Sequence, residues 1–415
     1  MNHNVCIYFS DTGGGHRSAA EALEAGIRRL VDESAEKPEI TIIKDSIAEK
    51  THPINRRFVE LYNYLLRHHQ PLMKYYYWFL HLVRPESGFN YALSATYLKA
   101  LLKRDNPSVV VSAHPMISHV LAHAMSQIGI KDRVKLVVVV TDPNADLWKA
   151  WACPDADMIV APNDLAKARL VEWGVAEEKV QTLGMPVHPD FLRAPSIGRR
   201  AFLNHLGLSP DLLTVCINAG WAGGGNMLKI YQALSKVKRP IQIIFLCGHN
   251  QSLYERAMEL AAESDVPSAV LPFHDCMPDL MSSVDMMITK AGGLTTYQAV
   301  ARRLPLAFDV LTEPMPQEKG TISMLVEEKV AAAIHVPEDI IAIVDNLEVV
   351  AERATHPLPT NHQLNLTDSG VFEMSKRILE MCYPPVVITP AEPAAAQDVA
   401  GIAHLSSPQP MAVDN

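Results

Sequence analysis

The 415-residue sequence has no apolar run of about 18 residues, so a membrane-spanning helix is not expected. The opening stretch, MNHNVCIYFSDTGGGH, has no basic segment followed by a long apolar one, so no secretory leader is expected either. Six cysteines (Cys6, Cys153, Cys216, Cys247, Cys276, Cys382) are scattered, and the closest pair lies 29 residues apart. That leaves no CxxC pair for zinc or haem and predicts reduced, buried thiols. Basic residues number 37 against 46 acids, a formal charge of −9, which argues against a general nucleic-acid binder. Aromatics make up only 7% of the chain, yet apolar residues reach 48% and charged residues 20%, a composition able to build packed cores.

The hydrophobic runs that are present are short and rich in Val and Ile. Val5–Phe9, Ile40–Ile43, Val109–Val111, Leu136–Val140 and Met158–Val160 read as strands buried on both faces, with helical segments between them. The pattern restarts at Leu213 and continues through Ile241–Cys247, Ala269–Leu271, Met286–Thr289 and Leu306–Phe308. The expected fold is α/β, with two doubly wound, Rossmann-like domains facing a cleft. The expected divisions are an N-terminal domain over 1–190, a linker over 191–212, and a C-terminal domain over 213–383 that includes a closing helix near Ser369–Met381. From 384 to 415 there are six prolines, seven alanines and no Lys or Arg, so this stretch is expected to be a disordered tail.

Glycine loops follow strands at Gly13–Gly15, Gly223–Gly225 and Gly292–Gly293. A glycine turn between a strand and a helix brings backbone N–H groups close to a ligand, and the helix N-terminus favours phosphate. The first two loops match neither GxGxxG nor GxxxxGK[ST], which sets aside the dinucleotide and P-loop motifs. Asp11 and His16 flank the first loop, as a carboxylate and an imidazole at one strand end, although a helix cap and a helix-terminal histidine use the same residues. Asp155-Ala156-Asp157 has the spacing of a metal-binding pair but reads as the polar lead-in to a strand. His68, His69 and His249 have no partner at ligand spacing.

Residues 50–104 carry nine basic side chains against two acids, and 11 of the chain's 27 aromatics. Arg56, Arg57 and Lys74 lie near the run Tyr75, Tyr76, Tyr77, Trp78 and Phe79, a mixture suited to anionic lipid headgroups. A core helix pair with a solvated basic face is the alternative, and nucleic acid ranks last because no recognition module accompanies the patch.

SDTGGGHRSAAEA (10–22), TDPNADLW (141–148), GMPVHPDF (184–191), ITKAGG (288–293) and QEKG (317–320) together resemble the monogalactosyldiacylglycerol synthases and the processive diacylglycerol glycosyltransferases. The peptidoglycan N-acetylglucosaminyltransferase is a more distant likeness. The resemblance spans roughly 1–383 and implies a GT-B fold. It also implies an inverting enzyme that moves a hexose, galactose or glucose, from a UDP-sugar to diacylglycerol or a similar lipid. An amphiphilic polyprenyl-linked acceptor and a non-catalytic sugar-nucleotide or lipid sensor are the rival readings. On this likeness Asp11 is the first choice of base and His16 the second, with Gly13, Gly14 and Gly15 on the acceptor side. The donor side comprises Gly220, Phe273, Lys290, Gly292, Gly293, Leu294, Thr295, Gln298, Gln317 and Glu318. Gln298 stands where the family commonly has Glu, and Pro316 and Thr321 replace the Gly and Asn of its PGQExxN pattern. No cofactor and no obligate metal are expected, because helix dipoles can hold the diphosphate. The expected setting is cytoplasmic, peripheral on the inner face of a membrane.

Overall fold

The structure is a computed structural model and describes residues 2–69, 72–73, 75–76, 78, 88–347, 370–382 and 384–389. Its strands are short, buried in the middle of each sheet and half-buried at the edges, and they assemble into two six-stranded parallel sheets. The first contains β1 (His3–Phe9), β2 (Ile40–Ser46), β3 (Val109–Ser112), β4 (Lys135–Val139), β5 (Met158–Ala161) and β6 (Val180–Thr182), in the order β2-β1-β3-β4-β5-β6. The second contains β7 (Leu213–Asn218), β8 (Ile241–Leu246), β9 (Ser268–Leu271), β10 (Met286–Thr289), β11 (Leu306–Asp309) and β12 (Ala331–Ile334), in the order β12-β11-β10-β7-β8-β9. Every pairing is parallel, which requires crossover helices on both faces.

Side-chain alternation along the strands feeds two apolar layers per sheet. In the first sheet Val5, Ile7 and Phe9 face one layer, and Cys6 and Tyr8 face the other with Leu98, Leu121 and Trp151. In the second, Cys216, Met287 and Phe308 pack with Tyr297 and Leu325, while Val215, Ile217 and Ile288 pack with Ile230 and Leu234. The chain direction reverses outward from β1/β3 in the first sheet and from β7/β10 in the second. In open α/β sheets ligands settle outside the strand ends at such switch points. Here those ends lead into residues 12–16, 219–222 and Lys290–Gly293, which line the cleft.

Two boundary expectations change. Helix Gly370–Glu380 closes the N-terminal lobe rather than the C-terminal one: Met374, Ile378 and Leu379 share a layer with Val5, Ile7 and Val111. It crosses helix Gly15–Asp32 at Gly26, where an added Cβ would stand 2.5 Å from Ser375 Oγ, so only glycine admits so close an approach. Residues 384–389 are ordered, not tail: Val386 is buried in the same layer and the Ala35 N–H donates to the Thr389 carbonyl at 2.9 Å. The rest of the expected tail lies outside the described residues.

Candidate active site

A cavity of about 850 Å³ lies between the lobes, lined from one side by residues 12–18, Tyr62, Leu66, Thr141 and Asp142. Gly220–Ala222, His249, Phe273, Lys290–Thr295, Gln298, Met315, Gln317 and Glu318 line the other. The lobes meet across it. Tyr297 Oη donates to the Pro143 carbonyl at 3.2 Å, and Gln298 Nε2 donates to Ser18 Oγ at 3.1 Å. Gly14 has φ +83° and lies against Trp221, whose ring would stand 2.8 Å from an added Cβ, so both backbone shape and space select glycine there.

On the N-terminal side, helix Gly15–Asp32 begins at Gly14 with no side-chain cap. Its first N–H groups therefore stay open to the cavity. His16 Nδ1 lies 2.8 Å from the Ala113 carbonyl and 3.0 Å from Thr141 Oγ1. A carbonyl only accepts, so Nδ1 carries the proton and Nε2 presents a lone pair. Burial brings the His16 pKa down to about 4, against the opposing pull of the Ala113 carbonyl and the Asp11 charge. The imidazole is therefore neutral at pH 7. His114 packs edge-on against it, with centroids 4.3 Å apart. His114 accepts the Met116 N–H at Nδ1 (3.2 Å), so its Nε2–H donates to Thr12 Oγ1 (3.1 Å). Burial, and then the neighbouring His16, hold His114 well below the ordinary histidine range.

On the family likeness Asp11 is the first choice of base, which requires it to face the cleft. Instead its carboxylate turns away from the cavity wall into a two-toothed ion pair with Arg17, with Arg17 Nε donating to Oδ1 at 2.8 Å. A guanidinium six residues on, over the first turn of the helix, captures it. Asp142 was not singled out from the sequence. It lines the cavity, accepts the Trp151 indole N–H at 2.6 Å, and burial pushes its pKa up.

On the C-terminal side, helix Gly293–Ala301 starts at Gly292, again without a side-chain cap, and opens its N-terminus to the same cavity. Lys290 precedes it. Burial lowers the Lys290 ammonium pKa, while Glu318 and Asp309 pull it back up. Glu318 is buried and its Oε2 accepts the Met315 N–H at 3.1 Å; burial raises its pKa and Lys290 opposes the rise. Gln317 lies on the cavity wall with its Nε2 3.9 Å from Met315 Sδ. Gly220, Phe273, Leu294 and Thr295 also line the cavity. Thr321 does not: it is fully buried in its own lobe. His249, read from the sequence as an ordinary polar residue, stacks on Phe273 with centroids 4.2 Å apart and an interplanar angle of 13°, and forms part of the wall.

The basic and aromatic segment resolves into an exposed and a buried set. Ile54, Leu61, Tyr64, Leu72, Tyr75 and Trp78 are exposed, Trp78 to 66%. Tyr76, expected on that surface, is buried, and its hydroxyl donates to the Phe58 carbonyl at 3.3 Å. Arg56 is paired with Glu60 at 2.9 Å, whereas Arg57 is exposed without an ion pair among the described residues. Lys74, Tyr77 and Phe79 lie outside the described residues. Cys276 is exposed, contrary to the expectation that all six thiols are buried. No helix among the described residues is long and apolar enough to cross a membrane.

Two facing Rossmann-like lobes with uncapped glycine helix starts on either side of one cleft define a GT-B fold. The solved structure of Acinetobacter baumannii MurG shares the fold, with a TM-score of 0.54 at 13% identity, covering 91% of this chain and 99% of that one. Anabaena HepE, solved in complex with UDP-glucose, aligns with a TM-score of 0.53 at 9% identity over 91% of this chain and 99% of that one. The model of the monogalactosyldiacylglycerol (MGDG) synthase family matches residues 16–187, and that of the glycosyltransferase family 28 C-terminal domain matches 226–321. Monogalactosyldiacylglycerol synthase 2 of Arabidopsis thaliana is 30% identical over 393 residues, covering 91% of this chain and 81% of its own length. A rice homologue of the same family is 29% identical over 339 residues, covering 78% of this chain and 64% of its own length. The chain belongs to the monogalactosyldiacylglycerol synthase family and is a UDP-sugar-dependent glycosyltransferase.

Proposed function

We propose that the protein moves a hexose, galactose or glucose, from a UDP-sugar to the free hydroxyl of diacylglycerol or a similar membrane lipid, with inversion at the anomeric carbon. The observation that carries this reading is His16 on the cavity wall, neutral and held at Nδ1 by Ala113, with no hydrogen-bond partner at Nε2 among the described residues. A single displacement needs one base for the acceptor hydroxyl and a counter-charge for the departing diphosphate. In this reading His16 Nε2 takes the hydroxyl proton as the lipid oxygen bonds to the sugar and the bond to UDP breaks. Asp11 acts on the resulting imidazolium through space, since its charge already raises the His16 pKa. Lys290 and the N–H groups at Gly293–Thr295 receive the diphosphate without a divalent cation. The loop around Phe273 and His249 holds the uracil, Gly220 allows close approach, and Gln298, Gln317 and Glu318 meet ribose and sugar hydroxyls.

The lipid enters from the side of helix Pro53–His68. Tyr62 and Leu66 of this helix line the cavity, while Ile54, Leu61 and Tyr64, with Tyr75 and Trp78 beyond, are exposed. A face of this kind, next to a basic segment, suits peripheral docking on an anionic bilayer at the inner face of a membrane. The test is incubation with a panel of UDP-hexoses and diacylglycerol vesicles, with and without EDTA. Mass spectrometry reads the lipids and NMR the anomeric centre. A hexosyl lipid of inverted configuration, formed with EDTA present, is expected. UDP binding without any lipid product overturns the transferase reading in favour of a sensor.

A further inference from the structure

Helix Pro53–His68 also carries Asn63, a residue that no part of the reaction described above uses. Asn63 lies two residues after the exposed Leu61, hence about 200° round the helix, and points inward. Its Oδ1 accepts the Gly13 N–H at 3.2 Å, and its Nδ2 donates to the Asp11 carbonyl at 2.8 Å. One amide therefore spans the turn that leads from β1 into the helix bearing His16. Tyr62 and Leu66 bracket the same turn: their nearest atoms lie 3.5–3.8 Å from the Cβ position of Gly13. Glu49, on the preceding short helix, holds the turn from upstream, with Oε1 accepting the Asp11 N–H at 2.5 Å and the Ser10 hydroxyl at 2.7 Å. A Gly-Gly-Gly turn does not fix its own geometry, because each glycine is free to occupy left- and right-handed regions alike. Gly13 and Gly14 both take positive φ here, at +71° and +83°.

We infer that Asn63 is a positioning residue for the transfer. It fixes the glycine turn that aims His16, and it does so from the helix whose other face is open for the bilayer. Membrane contact and base geometry are then set by one rigid element. This rests on the reading of His16 as the base at a membrane-docked site. Misplacing a reacting group by about 1 Å costs on the order of 10²-fold in rate, so a loosened turn lowers kcat. The donor is held by the other lobe, so donor KM does not follow.

The test compares wild type with Asn63→Ala and Asn55→Ala, using the UDP-hexose and diacylglycerol vesicles that give turnover. Asn55 Nδ2 donates to Thr51 Oγ1 at 2.8 Å, so Asn55→Ala removes a side-chain anchor of the same helix without touching the glycine turn. For Asn63→Ala the expected result is a 10- to 100-fold fall in kcat, donor KM within twofold, and unchanged flotation with vesicles. Amide hydrogen exchange over residues 10–16 should be faster. Asn55→Ala should keep kcat even where its melting temperature falls as far. Active wild type with an equally active Asn63→Ala refutes the clamp alone, as does an equal loss in both variants. Wild type inactive on every lipid refutes the transferase reading itself.

Discussion

Replacing His16 by Ala removes the proposed base on the acceptor side, Nε2 of a neutral imidazole. A positioned base contributes about 10²–10⁴ in rate, or roughly 3–5 kcal/mol of barrier. The expected result is therefore a fall of that size in kcat, with donor affinity nearly unchanged because Lys290, Gly293 and Gln298 belong to the other lobe. The pH profile is the sharper reading. With its pKa near 4, His16 stays unprotonated down to that value, so wild-type kcat/KM should hold from pH 8 to about 5 and fall on a limb near 4. Stability has the same cause. In the unfolded chain His16 takes a proton near pH 6.5, while in the fold it does not until about 4. Stability is complete above pH 6.5 and is lost as pH falls through that window, by on the order of 3 kcal/mol from this group. His16→Ala should lose part of that acid sensitivity. The assay is steady-state hexosyl transfer on vesicles across pH 4–8, with melting temperature in the same buffers. Wild-type turnover in the variant, or a wild-type limb near 6.5, refutes the assignment.

The remaining expectations follow from neighbouring contacts. Asp11→Asn should lower kcat by only about 3- to 10-fold, since Asp11 acts on the imidazolium through space and its pair with Arg17 is partly exposed; a loss as large as that of His16→Ala places Asp11 in the proton path. Gln298→Ala should raise donor KM severalfold with little change in kcat, and Gln298→Glu should hold or lower it, because a carboxylate accepts from both Ser18 Oγ–H and ribose hydroxyls; calorimetry showing donor binding unaltered by Gln298→Ala removes it from the donor site. Leu61→Asp with Trp78→Ala should release the protein from anionic vesicles, each buried apolar side chain contributing about 1.5–3 kcal/mol. Arg57→Glu should weaken binding about fivefold and flatten its salt dependence, at roughly 1 kcal/mol per basic residue. Equal flotation of these variants and wild type refutes the docking face.

Much of the fold was legible because buried parallel strands leave continuous Val/Ile runs. The two strands that escaped notice, β6 and β12, are edge strands of three and four residues with the sequences VQT and AAAI, too short and too weakly apolar to stand out. Of the three glycine loops, Gly13–Gly15 and Gly292–Gly293 line the cavity and Gly223–Gly225 does not, since a tight turn beside a helix start needs glycine whether or not a ligand is near. Side-chain direction was a different matter. Asp11 and His16 sit five residues apart at the end of one strand, and nothing in the pattern says that Arg17 captures Asp11 and leaves His16 in the cavity wall. The run from Tyr75 to Phe79 reads as one surface, yet a helix turns about 100° per residue, so Tyr76 goes inward while Tyr75 and Trp78 stay out.

Long-range pairings escaped for a related reason. Asn63 is 50 residues from Gly13, and Phe273 is 24 residues from His249, so neither partner can be read from spacing. The helix at Gly370–Glu380 shows the limit most clearly. Its apolar stripe predicts that it packs, but a stripe of Val371, Met374, Ile378 and Leu379 fits either lobe equally well. What selects the N-terminal lobe is a gap on another helix, the missing side chain at Gly26, which lets Val371 and Ser375 approach. Cys382 and Val386 then carry the chain along the same layer to Thr389, paired with Ala35. The last described segment of the chain thus braces the back of the helix whose first turn holds His16. The segment 370–389 and the proposed base meet on one helix, Gly15–Asp32, a relation set wholly by tertiary contact.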